Sequence, residues 1–160
     1  MLIVDTYNVL HIQGVLPPRL AGLGVPDLVR LVSVSRYAGR RLTLVCDGGP
    51  GGGVSGVRMH TAHILYAGSH LEADDVIEQL IERYHRGNSL DVVSTDRRLR
   101  RAASRRGARS ITSERFLTHL VEDEQTPAPQ RGHLLRAQVP LDAYSVGQWI
   151  REFGLTPGRR

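Results

Sequence analysis

The sequence predicts an α/β chain, a three-layer sandwich whose central, mostly parallel sheet is flanked by helices. Three observations predict it. Short continuous apolar runs recur along the chain, as expected of strands buried on both faces. Segments with helical spacing of apolar residues lie between those runs. The length, 160 residues, suits one core that needs no disulfide or metal staple.

The strands come in order. Leu2-Ile3-Val4 is the first run and Leu42-Thr43-Leu44-Val45-Cys46 the second. A weaker run is Arg58-Met59-His60-Thr61, with Ile64-Leu65-Tyr66 as a candidate extension. Residues 90–94 (Leu-Asp-Val-Val-Ser) form the fourth, and residues 108–111 are a candidate fifth. Between them, Pro26 marks a helix start, with Leu28, Leu31, Val32 and Ser35 on one face. Residues 73–85 place Val76, Ile77, Leu80, Ile81 and Tyr84 in one stripe, and Gly87-Asn88 supplies the stop. Residues 97–107 read as a short arginine-rich helix ending at Gly107.

Two segments read as irregular. Residues 48–53 (Gly-Gly-Pro-Gly-Gly-Gly) are a mobile loop by composition. Residues 123–132, with Pro127 and Pro129, read as a linker. Residues 145–153 then form an amphipathic helix with Val146, Trp149, Ile150 and Phe153 on one face. The expected organisation is a main domain over 1–122, with a linker and helical appendage over 123–160. The appendage packs back on the domain, anchored by Trp149.

Every basic residue among the 21 Lys+Arg is arginine, and the net charge is +5. The guanidinium fork binds phosphate in two places at once and stays charged at any working pH. The balance fits a nucleic-acid partner, although a basic surface also serves solubility. The lone Cys46 excludes an internal disulfide and reads as a core residue. The opening residues carry no secretion pattern, and their apolar run is far below the roughly 20 residues a bilayer requires. The expectation is a cytoplasmic protein without a membrane segment.

The acids carry the chemistry. Asp5 directly follows the first run, Asp47 the second, and Asp96 comes shortly after the fourth. In an open parallel sheet, ligands bind beyond the carboxyl ends of the strands. Three aspartates therefore converge on one edge, and Asp74-Asp75 adds a pair at a helix start, where the dipole favours acids. A single aspartate after a strand is often a turn or cap residue. Several at several strand ends are explained less easily that way. Crowded carboxylates repel, and a divalent cation removes the conflict. Oxygen-only ligation points to Mg²⁺ or Mn²⁺ rather than zinc. Such ions on carboxylates can activate water for phosphodiester cleavage. Asp74 and Asp75 stand about 100° apart on a helix, so both cannot face one ion equally, and Glu72 competes with them.

Motif by motif, these residues resemble the NYN domain. Asp5-Thr6-Tyr7-Asn8 resembles its D-x-Y-N opening, and Cys46-Asp47-Gly48 its F-D-G strand end, with Cys in the aromatic position. Residues 71–78 (Leu-Glu-Ala-Asp-Asp-Val-Ile-Glu) look like E-x-A-D-D-x-I-E, Ser94-Thr95-Asp96-Arg97 like S-x-D-R, and Gly107-Ala108 like the G-A that follows. In order and spacing the set is similar to the YacP-like branch, within the PIN-like nuclease superfamily, over about residues 1–120. The resemblance implies a PIN-like fold and single-strand RNA endonuclease activity dependent on Mg²⁺ or Mn²⁺. It implies metal ligation by Asp5, Asp74 or Asp75, and Asp96, with Asp47 matching the second-strand acid. It implies that Asn8 orients the Asp5 carboxylate or a water. YacP-like relatives act on RNA, some in the context of the ribosome, so an mRNA or rRNA partner is implied. Residues 48–56 depart from the pattern in their glycine content and in having only Arg58 as a nearby cation. They lack the G-K-[S/T] ending of a nucleotide-binding loop.

Arginines 97, 98, 100, 101, 105, 106 and 109 follow Asp96 closely. Arg97, Arg101 and Arg105 share one helix face. Arg97, Arg98, Arg101 and Arg105 are the candidate RNA-binding residues, gripping phosphates beside the acidic site. A solvated helix face is the ordinary alternative. Tyr7 could stack on a base or serve packing. His60 and His63 lack the further ligands that zinc requires. A non-catalytic RNA-binding module and a different phosphotransfer enzyme on the same scaffold are the competing functions.

Overall fold

The computed structural model describes residues 1–126, apart from 13, 18–19, 21, 50 and 85–88. The expected stop at Gly87-Asn88 and the appendage at 145–153 with Trp149 lie outside the described residues. The elements run β1 (Leu2–Asp5), α1 (Thr6–Leu10), α2 (Val25–Val34), β2 (Leu42–Cys46), β3 (Ser55–Met59), β4 (Ala62–Tyr66), α3 (Ala73–Glu82), β5 (Asp91–Val93), α4 (Arg97–Arg105), β6 (Arg109–Ile111) and α5 (Ser113–Gln125). The sheet order is β3-β4-β2-β1-β5-β6. All neighbours pair in parallel except β3 and β4. None of these helices is long and apolar enough to cross a membrane.

The two-residue period of a strand divides the core into two layers. Leu2, Val4, Leu44, Ile64 and Val93 face α2 and α5, meeting Leu28, Leu31, Phe116 and Leu120. Ile3, Val45, Leu65 and Val92 face α3 and α4, meeting Val76, Ile77, Leu80, Leu99 and Ala103. The register Val4↔Leu44 and Val4↔Val93 keeps each layer continuous across β2, β1 and β5. A one-residue slip would exchange the layers, so burial on both faces fixes the register. After β1 the chain turns to one face through α1 and α2. After β5 it turns to the other through α4. The crevice beyond the carboxyl ends of β1 and β5 is thus a topological switch point.

The structure corrects the sequence reading at several places. The weak third run is two strands, β3 and β4, folded into an antiparallel hairpin in which Met59 pairs with Ala62. His60 turns the corner at φ 54°. Helices α1 and α5 were not anticipated. Helix α5 also absorbs Asp123, Glu124 and Gln125, which read as the start of a linker. Arg36 explains this extension: its backbone N–H and its guanidinium both bind the Asp123 carboxylate, at 2.7 Å each. The glycine loop after β2 packs against the sheet. The N–H of Gly68 donates to the Gly48 carbonyl at 2.8 Å. Gly49 sits at φ 111°, where a Cβ would stand 2.4 Å from the Cβ of Tyr66. Its missing side chain is a packing requirement.

At the amino end of β5, the buried Asp91 takes hydrogen bonds from Arg40 and from Arg109, whose Nε lies at 3.0 Å. Burial pushes the Asp91 carboxyl up, but the two guanidinium bonds outweigh it and leave the pKa lowered.

Phe116 is fully buried and docks α5 on the sheet. Phe116→Ala should cost about 3–5 kcal/mol of stability, measured by denaturant unfolding. A loss below about 1 kcal/mol would show that α5 is not part of the cooperative core.

Candidate functional site

Asp5, Asp47, Glu72, Asp74 and Asp96 line one cleft together with Tyr7 and Asn8, enclosing ≈ 340 Å³. The parallel register explains the meeting. Asp5 ends β1, Asp47 follows β2, and Asp96 lies three residues beyond β5. Glu72 and Asp74 come from the start of α3.

Each strand-end aspartate also receives backbone N–H groups from a helix start. Asp5 Oδ1 accepts from the Asn8 N–H at 3.1 Å. Asp47 Oδ1 accepts from the Ala73 N–H, the first residue of α3, at 2.8 Å. Asp96 Oδ1 accepts from the N–H groups of Arg98 and Leu99, at 2.6 and 3.2 Å. The cap and the cleft are therefore one structure. In each case the cap engages a single carboxylate oxygen.

Ser94 completes the hold on Asp5. Its hydroxyl donates to Asp5 Oδ2 at 2.9 Å and accepts from the Asp96 N–H at 3.0 Å. Ser94 is almost fully buried. In the sequence Ser94 stands in the S-x-D-R motif, which gives no sign of this role. Asn8 meets the Asp5 carboxylate through its backbone. Its backbone N–H, not its side chain, orients Asp5. Its side-chain Oδ1 accepts from the Thr95 N–H at 3.2 Å and the Ser113 hydroxyl at 2.9 Å. Thr95 in turn donates to Glu114 Oε2 at 3.1 Å. Ser113 and Glu114 belong to α5 and carried no motif signal.

Asp74 and Asp75 separate. Asp74 lines the cleft, and its pKa is raised to about 6. Burial is the main cause, followed by the negative charges of Asp5 and Asp96. Asp5 is likewise raised, first by burial and against its two hydrogen bonds, with Asp47 and Asp96 adding. Asp75 does not line the cleft. Its Oδ1 takes a 2.7 Å bond from Arg98, and its Oδ2 accepts from the Glu72 N–H at 3.4 Å. The Arg98 bond holds its pKa below the usual value. Position on the helix decides this, since α3 has one face toward the strand ends and α4 flanks the other side.

The arginines divide in the same way. Arg98 binds both Asp75 and Glu78 at 2.7 Å and ties α4 to α3. Arg106 reaches the Tyr84 carbonyl at 3.2 Å, and Arg109 serves Asp91. Arg97, Arg101 and Arg105 are exposed, opposite the buried Leu99, Ala102 and Ala103.

With the geometry in view, comparison with known proteins is decisive on the family. Residues 2–134 match the YacP-like NYN domain. The chain belongs to the YacP-like NYN family. Two crystal structures of Rae1 (YacP) from Bacillus subtilis, one a mutant form, superpose with a TM-score of 0.58 at 20% identity. The match covers 78% of this chain and 76% and 75% of theirs. At that identity the likeness carries the fold. The comparison with curated proteins finds no match. The family is one of nuclease-like domains, and NYN and PIN-like nucleases generally use divalent metal ions.

The cleft of this YacP-like domain fits that requirement in its donor chemistry. Its acidic lining offers only hard oxygen ligands, with no Cys or His. Among the described residues, no three His, Cys, Asp or Glu side chains stand close enough together to hold an ion between them. An open rim suits Mg²⁺, which keeps several waters and takes one or two carboxylates plus substrate oxygens.

Asp74 gives a test of burial and crowding together. Its folded pKa lies above the unfolded value of 3.8. The group therefore favours folding below that pH and loses the contribution as pH rises through about 6. Asp74→Asn should raise the metal-free stability at neutral pH by on the order of 1 kcal/mol, discounted for partial exposure. The gain should vanish near pH 4. Thermal melts with chelator at both pH values measure it, and a lower neutral-pH melting point for the variant would refute the electrostatic account.

Proposed function

We propose that this protein is a metal-dependent endoribonuclease that cleaves single-stranded RNA. The observation that carries the reading is the meeting of Asp5, Asp47, Asp74 and Asp96 on one cleft at the switch point of the sheet. Asp5, Asp74 and Asp96 would hold the Mg²⁺ or Mn²⁺, with Asp47 as a further ligand and Glu72 on the same rim. When bound, the cation would activate a water and neutralise charge on the phosphodiester. Ser94 and the Asn8 N–H keep the Asp5 carboxylate in place. Asp75 has no part in ligation, because Arg98 engages it. Arg97, Arg101 and Arg105 bind the phosphates that flank the cleft, as a helix face with a fixed positive stripe can. Family membership supports an mRNA or rRNA substrate in the cytoplasm, with the ribosome as one setting.

The reading predicts Mn²⁺- or Mg²⁺-dependent cutting of a single-stranded RNA that stops on chelation. Asp5→Asn and Asp96→Asn should each lower the rate at least about 100-fold. Asp75→Asn should stay within a few-fold of wild type. Equal cleavage by wild type, Asp5→Asn and Asp96→Asn would sink the proposal. Salt-sensitive binding with no metal-dependent cutting would mark a non-catalytic RNA-binding module instead.

The arginine stripe has its own readout. In chelator, Arg97→Ala with Arg101→Ala should weaken binding across all sequences. It should also flatten the log K against log salt slope by about 0.7 for each lost contact. An unchanged slope would remove these arginines from the interface.

A further inference from the structure

Tyr7 is 58% exposed, the most exposed large hydrophobic residue among the described residues, and it lines the acidic cleft. A tyrosine kept for packing would be buried. The backbone on either side is fixed, since Asp5 and Asn8 both belong to the hydrogen-bonded network of the cleft. One turn along, His11 stacks on Tyr7, with ring centroids 3.8 Å apart and planes 23° apart. His11 Nδ1 lies 2.9 Å from the Tyr7 carbonyl oxygen. That oxygen can only accept, so Nδ1–H donates and pins the imidazole against the phenol ring. With one face of the ring covered and the residue more than half exposed, Tyr7 presents its other face and edges to solvent.

We infer that Tyr7, backed by His11, is a base platform that stacks one unpaired nucleobase of RNA beside the phosphodiester held in the cleft. The inference rests on the endoribonuclease reading and deepens it. Every base has a π-face, so stacking accepts any sequence. A base within a duplex is already stacked on both sides and has no face to offer. The platform thereby selects single strands. The occupant follows from the surroundings: the acids of the cleft repel an unscreened phosphate, a neutral base suffers no such penalty, and the exposed Arg97, which directly follows Asp96 of the cleft, can take a neighbouring phosphate.

The test uses the full chain in chelator, so that RNA is bound without being cut. Fluorescence anisotropy is read on a short labelled single-stranded oligoribonucleotide and on versions with one abasic position moved along the strand. Tyr7→Ala should weaken binding about tenfold, whereas Tyr7→Phe and Tyr7→Trp should stay within about threefold of wild type. His11→Ala should give a smaller loss than Tyr7→Ala. One abasic position should weaken wild type about as much as Tyr7→Ala does, and should weaken Tyr7→Ala no further. Thermal melts of the variants check folding, which an exposed side chain should leave unchanged. Wild-type affinity in Tyr7→Ala overturns the platform. A loss in Tyr7→Ala that no abasic position reproduces overturns the base as occupant and marks a contact of another kind. If wild type binds and cuts RNA but ignores Tyr7, only the platform falls. If wild type neither binds nor cuts RNA, the endoribonuclease reading falls and takes the platform with it.

Discussion

Mutual repulsion among carboxylates at one edge of the sheet is the constraint on which the rest of this structure depends. Three of the acids meet it with backbone N–H groups: Asn8 for Asp5, Ala73 for Asp47, and Arg98 and Leu99 for Asp96. The free N–H groups and dipoles at the starts of α1, α3 and α4 thus partly neutralise the cluster that their caps create. Asp74, raised first by burial and then by the charges of Asp5 and Asp96, takes what is left. Its raised pKa shows that the folded chain holds this proton more tightly than the unfolded chain does. Further positive charge is what the cleft lacks, and a divalent cation is the chemical form in which an all-oxygen rim accepts it.

Buried and half-buried acids elsewhere have a different solution. Asp91 sits at the opposite edge of the same sheet with Arg40 and Arg109 on it, Asp123 has Arg36, and Asp75 has Arg98. All three carboxyls have lowered pKa values, whereas Asp5 and Asp74 are raised. An acid given an arginine is being used to hold elements together. Asp5 and Asp74 face the cleft without such an arginine bond, which is the arrangement that the proposed cation site requires. Perturbed acids in a cleft are functional candidates on general grounds, and the contrast within one molecule sharpens that inference.

Much of this was legible in the sequence, for local reasons. The runs at β1, β2 and β5 are short and apolar because both faces are covered, and the stripes of α2 and α3 repeat at the helical period. An aspartate at the end of each such run needs no tertiary information to be placed on the carboxyl edge. What was not legible depends on distant partners. The side chain of Asn8 meets Ser113, 105 residues away. The hairpin of β3 and β4 hides in a stretch where Gly56, Arg58 and His63 interrupt the apolar pattern, because β3 is an edge strand with one side open. The apolar positions of α5, at Phe116, Leu117 and Leu120, are diluted by polar neighbours, and the helix continues to Gln125 where Arg36 binds Asp123 and Arg30 pairs with Glu124. A run of arginines reads as one surface, yet Arg98 and Arg109 are committed to acids 23 and 18 residues away.

The adjacent pair at the start of α3 shows how such a partner turns an ambiguity into a division of roles. Successive helical residues point about 100° apart. Asp75 is held outward by Arg98, and Arg98 also grips Glu78 one turn on, so α3 is tied to α4 along one side. That tie restrains rotation of the first turn of α3, and the neighbouring position, Asp74, is thereby presented to Asp5 and Asp96. Helix α4 contributes at both ends of the arrangement: its cap, Asp96, is a wall of the cleft, and its second residue, Arg98, fixes the opposite wall. The two aspartates look redundant in sequence, but one of them faces the cleft because the other does not.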